Sequence, residues 1–163
     1  MNSAQKIFPV SWEEMHRDAK ALAWRLLEHG PWKGLVIITR GGLVPGAVVA
    51  RELNIRIIES VSVSGYNTDD TKTDKHRETK ILKFPSDIGD GSGWLVIDDL
   101  VDTGGTIELV KNLLPKAHYA AVYAKPLGKP LVDSYVTEVS QDTWICFPWE
   151  SLTELPMALR DKN

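Results

Sequence analysis

Apolar residues recur at two different periods along this chain, and the switching between them predicts its architecture. From Trp12 onward, Met15, Ala19, Leu22, Ala23 and Leu26 fall at helical spacing. Ser11 followed by Glu14 is a capping-box pattern at the helix start, and Gly30-Pro31 ends it. Gly34 to Thr39 is then an unbroken apolar run, as expected of a strand covered on both faces. Arg40-Gly41-Gly42 is a tight turn, and Leu43 to Leu53 reads as a second helix. Ile55 to Ser64 is rich in β-branched residues and reads as a strand. Gly65 to Glu78 is polar with almost nothing to bury, which predicts a mobile loop over 65–78. Lys80 to Phe84 returns as a short strand, and Asp87 to Gly93 is a turn.

A second unbroken apolar strand begins at Trp94. The helix after it is expected to bury Ile107, Val110, Leu113 and Leu114. Tyr119 to Tyr123 and Thr143 to Phe147 complete the apolar segments. Apolar strands alternating with helices predict an α/β fold: one domain, 1–163, with a mostly parallel central sheet flanked by helices. Ligands of such sheets sit beyond the carboxyl ends of the strands. That rule brings Arg40 to Gly42, Asp98 to Thr106 and Lys125 to one end of the molecule.

The composition narrows the class. The chain has 163 residues, 43% hydrophobic and 25% charged, with a net charge of −3. Those values suit a globular protein and argue against a nucleic-acid partner. Cys146 is the only cysteine, so no internal disulfide forms and a cytoplasmic location is expected. The first ten residues lack the apolar core of a signal peptide, and no run is long enough to span a membrane. Core packing is the expected role of most of the six tryptophans. His16, His29, His76 and His118 show no metal-ligand spacing and are expected at the surface.

The chemistry concentrates in Trp94-Leu95-Val96-Ile97-Asp98-Asp99-Leu100-Val101-Asp102-Thr103-Gly104-Gly105-Thr106. Adjacent carboxylates at a strand tip face opposite sides and can hold a hard cation and sugar hydroxyls. The Thr/Gly loop before a helix exposes N–H groups to a phosphate. Asp102 suits either a proton acceptor or a helix N-cap.

This run resembles the phosphoribosyl pyrophosphate signature of the type I phosphoribosyltransferases. Thr39 to Gly46, Ala124-Lys125-Pro126 and Gln141 to Ile145 are similar to the bacterial members that use xanthine and guanine, in the same order along nearly the whole chain. The resemblance implies a purine salvage enzyme. Such an enzyme moves 5-phosphoribosyl to N9 of guanine or xanthine, and also hypoxanthine, with Mg2+ required and pyrophosphate released. It implies a homotetramer, cytoplasmic and peripheral on the inner membrane, with a base-binding hood over 141–163.

By resemblance, Asp98 faces the ribose hydroxyls, Asp99 lies toward the metal, and Asp102 handles the proton near N7 of the purine. Thr103, Gly104, Gly105 and Thr106 hold the 5′-phosphate. Arg40, Gly41 and Arg77 bind pyrophosphate, with Lys80 and Lys83 as weaker candidates and a cis peptide before Arg40. Lys125 donates to the 6-oxo group, Trp144 stacks on the base, and Ile145 reads the 2-position through its main chain. Cys146 is a packing residue, not a nucleophile. Cys146 and Phe147 replace polar residues of the family, which bears on base preference.

Three other readings carry less. A hypoxanthine-preferring relative would share the same motifs. A non-catalytic sensor of the phosphoribosyl ligand would not need Lys125 and Trp144. An aspartic protease needs two Asp-Thr-Gly triplets in an all-β chain, and only Asp102-Thr103-Gly104 is present.

Overall fold

A computed structural model describes residues 6–67 and 77–150. Eight strands and three α-helices follow in the order β1 (Lys6–Pro9), α1 (Trp12–Leu26), β2 (Gly34–Thr39), α2 (Leu43–Glu52), β3 (Ile58–Asn67) and β4 (Arg77–Lys83). Then come β5 (Trp94–Val101), α3 (Gly105–Lys111), β6 (His118–Ala124), β7 (Ser134–Glu138) and β8 (Thr143–Cys146). Six strands form one sheet in the order β4-β3-β2-β5-β6-β7. All its pairings are parallel except β3 with β4.

The unbroken apolar runs are explained by burial on both faces. Leu35, Ile37, Leu95, Ile97, Ala120 and Val122 pack with Met15, Leu22 and Leu26 of α1 and Val49 of α2. Their neighbours Val36, Ile38, Val96, Tyr119 and Ala121 point the other way, against Ile107 and Val110 of α3. The helix after β2 therefore covers one face and the helix after β5 covers the other. Adjacent parallel strands whose helices leave to opposite faces open a crevice at their carboxyl ends.

The capping box holds as read: Ser11 N–H donates to Glu14 Oε2 at 2.8 Å, and Glu14 N–H to Ser11 Oγ at 3.1 Å. Four details differ from the sequence reading. The polar 65–78 segment is partly strand: Gly65 to Asn67 extend β3, and Arg77 and Glu78 begin β4 opposite them. Helix α3 ends at Lys111, so Leu114 is buried but Leu113 is 44% exposed. His118 is half-buried, with Nε2 2.8 Å from Ser134 Oγ and its ring beside His29. Finally, β1 and β7 carried no clear pattern.

β1 pairs in parallel with β8, Lys6 opposite Thr143 through Pro9 opposite Cys146, as a separate two-stranded ribbon. Among the described residues, no helix is long and apolar enough to cross a membrane.

Candidate active site

Three neighbouring strands, β2, β5 and β6, end at one crevice. From β2 the chain turns through Arg40, Gly41 and Gly42, and the Thr39–Arg40 peptide is cis, as the resemblance implied. A Cβ on Gly41 would lie 2.6 Å from the Asp99 carboxylate, so only glycine lets this turn press against the tip of β5. Arg40 is exposed at the rim.

Strand geometry persists through the acid pair, and the two carboxylates meet different surroundings. Asp98 is 8% exposed, and its Oδ1 accepts the Asp99 N–H at 2.9 Å. Asp99 is partly exposed, and its Oδ1 accepts the Leu100 N–H at 2.7 Å. Burial, and then the charge of Asp99, hold the Asp98 carboxyl well above the usual carboxylate range. Burial pushes Asp99 up to about 6, with a further contribution from Glu150. No cation pairs with either among the described residues.

No group of three or more His, Cys, Asp or Glu side chains converges as an all-protein metal cage among the described residues. Magnesium does not need one. It keeps most of its waters and takes one or two carboxylates together with substrate oxygens. An acid pair whose ionised form is penalised by burial fits such an ion.

Beyond β5, Thr103 and Gly104 turn the chain into α3, whose first two residues are Gly105 and Thr106. Gly104 has φ of 92°, and a Cβ there would lie 2.2 Å from Leu131 Cδ1. The left-handed backbone favours glycine at 104, and any side chain there would also have to displace the tip of Leu131. Thr103 and Gly105 are exposed. The first N–H groups of a helix have no intrahelical acceptor, so this loop offers donors to an oxyanion. No side chain caps α3, so the N-cap reading of Asp102 is corrected: its carboxylate turns elsewhere.

It turns to Lys125, which follows β6. Lys125 Nζ donates to Asp102 Oδ2 at 2.9 Å, and the lysine side chain is only 6% exposed against 48% for the aspartate. The other oxygen, Oδ1, accepts from Gln141 Nε2 at 2.7 Å. Gln141 lay in a quoted motif without a role; only the fold brings it to Asp102. Gly128 closes the arrangement, since a Cβ there would lie 2.7 Å from the Asp102 carbonyl oxygen.

β8 places Trp144 at the edge of the site, 52% exposed, while Ile145 beside it is buried. Cys146 and Phe147 are buried as well. The Phe147 ring stacks on Trp149 with centroids 4.7 Å apart, so both positions that depart from the family pattern serve the core. Arg77 is the first residue of β4, but its side chain lies outside the described part of the structure, as does the 68–76 portion of the expected loop. Lys80 and Lys83 are exposed on β4. Thr79 of the same strand lies closer to the loop, its Oγ1 3.9 Å from where a Gly105 Cβ would stand.

The sequence pattern of the phosphoribosyl transferase domain matches residues 11–152. The xanthine-guanine phosphoribosyltransferase of Nitratidesulfovibrio vulgaris (strain DP4) is 59% identical over 147 residues, covering 90% of this chain and 86% of its own length. The protein of the same name from Desulfotalea psychrophila (strain LSv54 / DSM 12343) is 56% identical over 155 residues, covering 95% and 93%. Among solved structures, a purine phosphoribosyltransferase from Pyrococcus horikoshii Ot3 superposes with a TM-score of 0.75 at 26% identity, covering 92% of this chain and 98% of that one. Strand order, acidic tip, glycine loop and these matches agree: the chain belongs to the phosphoribosyltransferase family.

Proposed function

We propose that this protein transfers 5-phosphoribosyl from phosphoribosyl pyrophosphate to N9 of guanine or xanthine, with hypoxanthine as a third acceptor. The observation that carries this reading is the Lys125–Asp102 pair, a donor and an acceptor 2.9 Å apart beside the exposed Trp144. A 6-oxopurine protonated at N7 presents the matching edge, an acceptor at O6 next to a donor at N7. A 6-aminopurine offers a donor where the ammonium also donates.

In this reading, Thr103, Gly104, Gly105 and Thr106 bind the 5′-phosphate through N–H and hydroxyl donors. Arg40 and the Gly41 turn bind the pyrophosphate, with Arg77 contributing from β4. Asp98 accepts from the ribose hydroxyls, and Asp99 holds magnesium. The ion, when bound, neutralises charge on the departing pyrophosphate. As N9 attacks the sugar, positive charge grows on the purine, and Asp102 takes the N7 proton. Trp144 stacks on the ring. The main chain of Ile145 lies where a 2-amino or 2-oxo substituent is read. The exposed Trp24 of α1 and Leu27 just after it, with the exposed Ile57, Ile58 and Leu82, support burial in a homo-oligomer, for which a tetramer is the proposed form.

Guanine, xanthine, hypoxanthine and adenine competed at fixed phosphoribosyl pyrophosphate and magnesium, with nucleotide products separated, test the reading. Nucleoside monophosphates of the oxopurines, with none from adenine, are expected. Folded protein that makes no nucleotide overturns it.

A further inference from the structure

Gln141 sits three residues ahead of Trp144 and reaches back to the catalytic loop. Its Nε2 donates to Asp102 Oδ1 at 2.7 Å, and its Oε1 accepts the Leu127 N–H at 3.0 Å. The two partners fix the amide orientation, because a backbone N–H only donates and a carboxylate only accepts. Lys125, at the start of the turn that contains Leu127, donates to the other Asp102 oxygen. The contacts close a ring: Asp102 to Gln141, Gln141 to Leu127, along the turn to Lys125, and back to Asp102.

The ring addresses a problem the pair alone does not solve. The Asp102 side chain is 48% exposed, and among the described residues its carboxylate has one charged partner, Lys125. An unrestrained carboxylate could rotate to offer both oxygens to Lys125, closing the gap into which the purine edge must fit. Holding Oδ1 at Gln141 leaves Oδ2 shared between the ammonium and the incoming N7 proton. The same amide ties Asp102 to the segment that leads into β8, which carries Trp144.

We infer that Gln141 is a positioning residue: it fixes the orientation of Asp102 relative to Lys125 and couples that orientation to the strand on which the base stacks. This rests on the role given to Asp102 above. Two substitutions separate its parts. Gln141→Leu removes both hydrogen bonds. Gln141→Glu keeps an acceptor for the Leu127 N–H but turns an acceptor toward Asp102 in place of the donor.

Steady-state and single-turnover rates are measured on the full chain with guanine, phosphoribosyl pyrophosphate and magnesium. Quenching of tryptophan fluorescence by guanosine monophosphate serves as an independent binding readout. In both variants kcat falls by about 10- to 100-fold, a fraction of what a positioned proton acceptor contributes, while KM for phosphoribosyl pyrophosphate is unchanged. In an Asp102→Asn background, Gln141→Leu causes no further loss. A loss that multiplies with Asp102→Asn overturns the inference, because Gln141 would then act by another route. So does an unchanged kcat in Gln141→Glu, which would leave only the tie to Leu127. If Gln141→Leu does not fold, Gln141→Glu and its pairing with Asp102→Asn decide the matter. An unaltered protein with no transferase activity counts against the proposed function instead.

Discussion

Replacing Lys125 with Met removes the ammonium while keeping most of the buried stem. Lys125 is almost fully enclosed, yet its partner Asp102 is half exposed and keeps Gln141 as a second donor. The aspartate left behind is therefore not a stranded interior charge, and the loss falls below the 3–5 kcal/mol typical of breaking a buried pair. A loss of about 1 kcal/mol is expected, equal to roughly 2–4 °C in Tm for a domain of this size. The cost to function is larger. A hydrogen bond from a charged donor to O6 contributes about 1.5–3 kcal/mol, so kcat/KM for guanine falls by roughly 10- to 150-fold. The phosphate end of the site is untouched, so KM for phosphoribosyl pyrophosphate stays where it was. Initial rates with guanine and with adenine, alongside a thermal melt, give the three quantities. Guanine kcat/KM equal to that of the unaltered protein would refute the assignment of Lys125 to O6. A Tm loss several times larger would show instead that the lysine is mainly a stability element.

Three further outcomes follow from the geometry. Because Asp99 is raised from 3.8 to about 6, the folded chain without metal binds protons more tightly than the unfolded chain; its contribution is present below pH 4 and disappears as pH rises through 6. That loss is at most about 3 kcal/mol; Asp99→Asn should flatten the pH dependence of Tm over this window, and an unchanged slope would contradict the shift. Gly104→Ala combines a left-handed backbone with a Cβ 2.2 Å from Leu131, so chemical denaturation should show a loss of about 2–4 kcal/mol, and a variant as stable as its parent would rule out this loop geometry. Trp144→Ala should barely move Tm, since the ring is half exposed, but should weaken purine binding by about 1–3 kcal/mol in calorimetry; equal affinity would remove Trp144 from the base site.

The parts of the fold that were legible were those with a strong period. Leu35 to Ile38 and Leu95 to Ile97 announced strands with two covered faces, and Ser11 with Glu14 announced the start of α1. β1 and β7 were missed because neither is wrapped: Lys6 to Pro9 are all exposed, and β7 is a five-residue edge strand. Gly65 to Asn67 and Arg77 to Glu78 misled because polarity says nothing of backbone pairing, and a ladder that continues from β3 and β4 is held by main-chain hydrogen bonds. Leu113 misled because the helical period was extended past the point where α3 stops. In the site, residue types identified the acid pair and the glycine loop. The Lys125–Asp102–Gln141 arrangement could not be read, because its members are 23 and 39 positions apart and meet only through strand order.

The ribbon of β1 and β8 gives the two halves of the pocket different histories along the chain. The residues proposed to grip the sugar diphosphate, Arg40 to Thr106, have all been made once translation passes Lys125. The surface proposed for the acceptor waits until β8 is made and zips against a strand synthesised more than a hundred residues earlier. Shaving off Lys6 to Pro9 is thus expected to fray the proposed purine side selectively, since it removes the ladder to β8, the Lys6–Asp142 ion pair and the contact of the Phe8 ring with Tyr123.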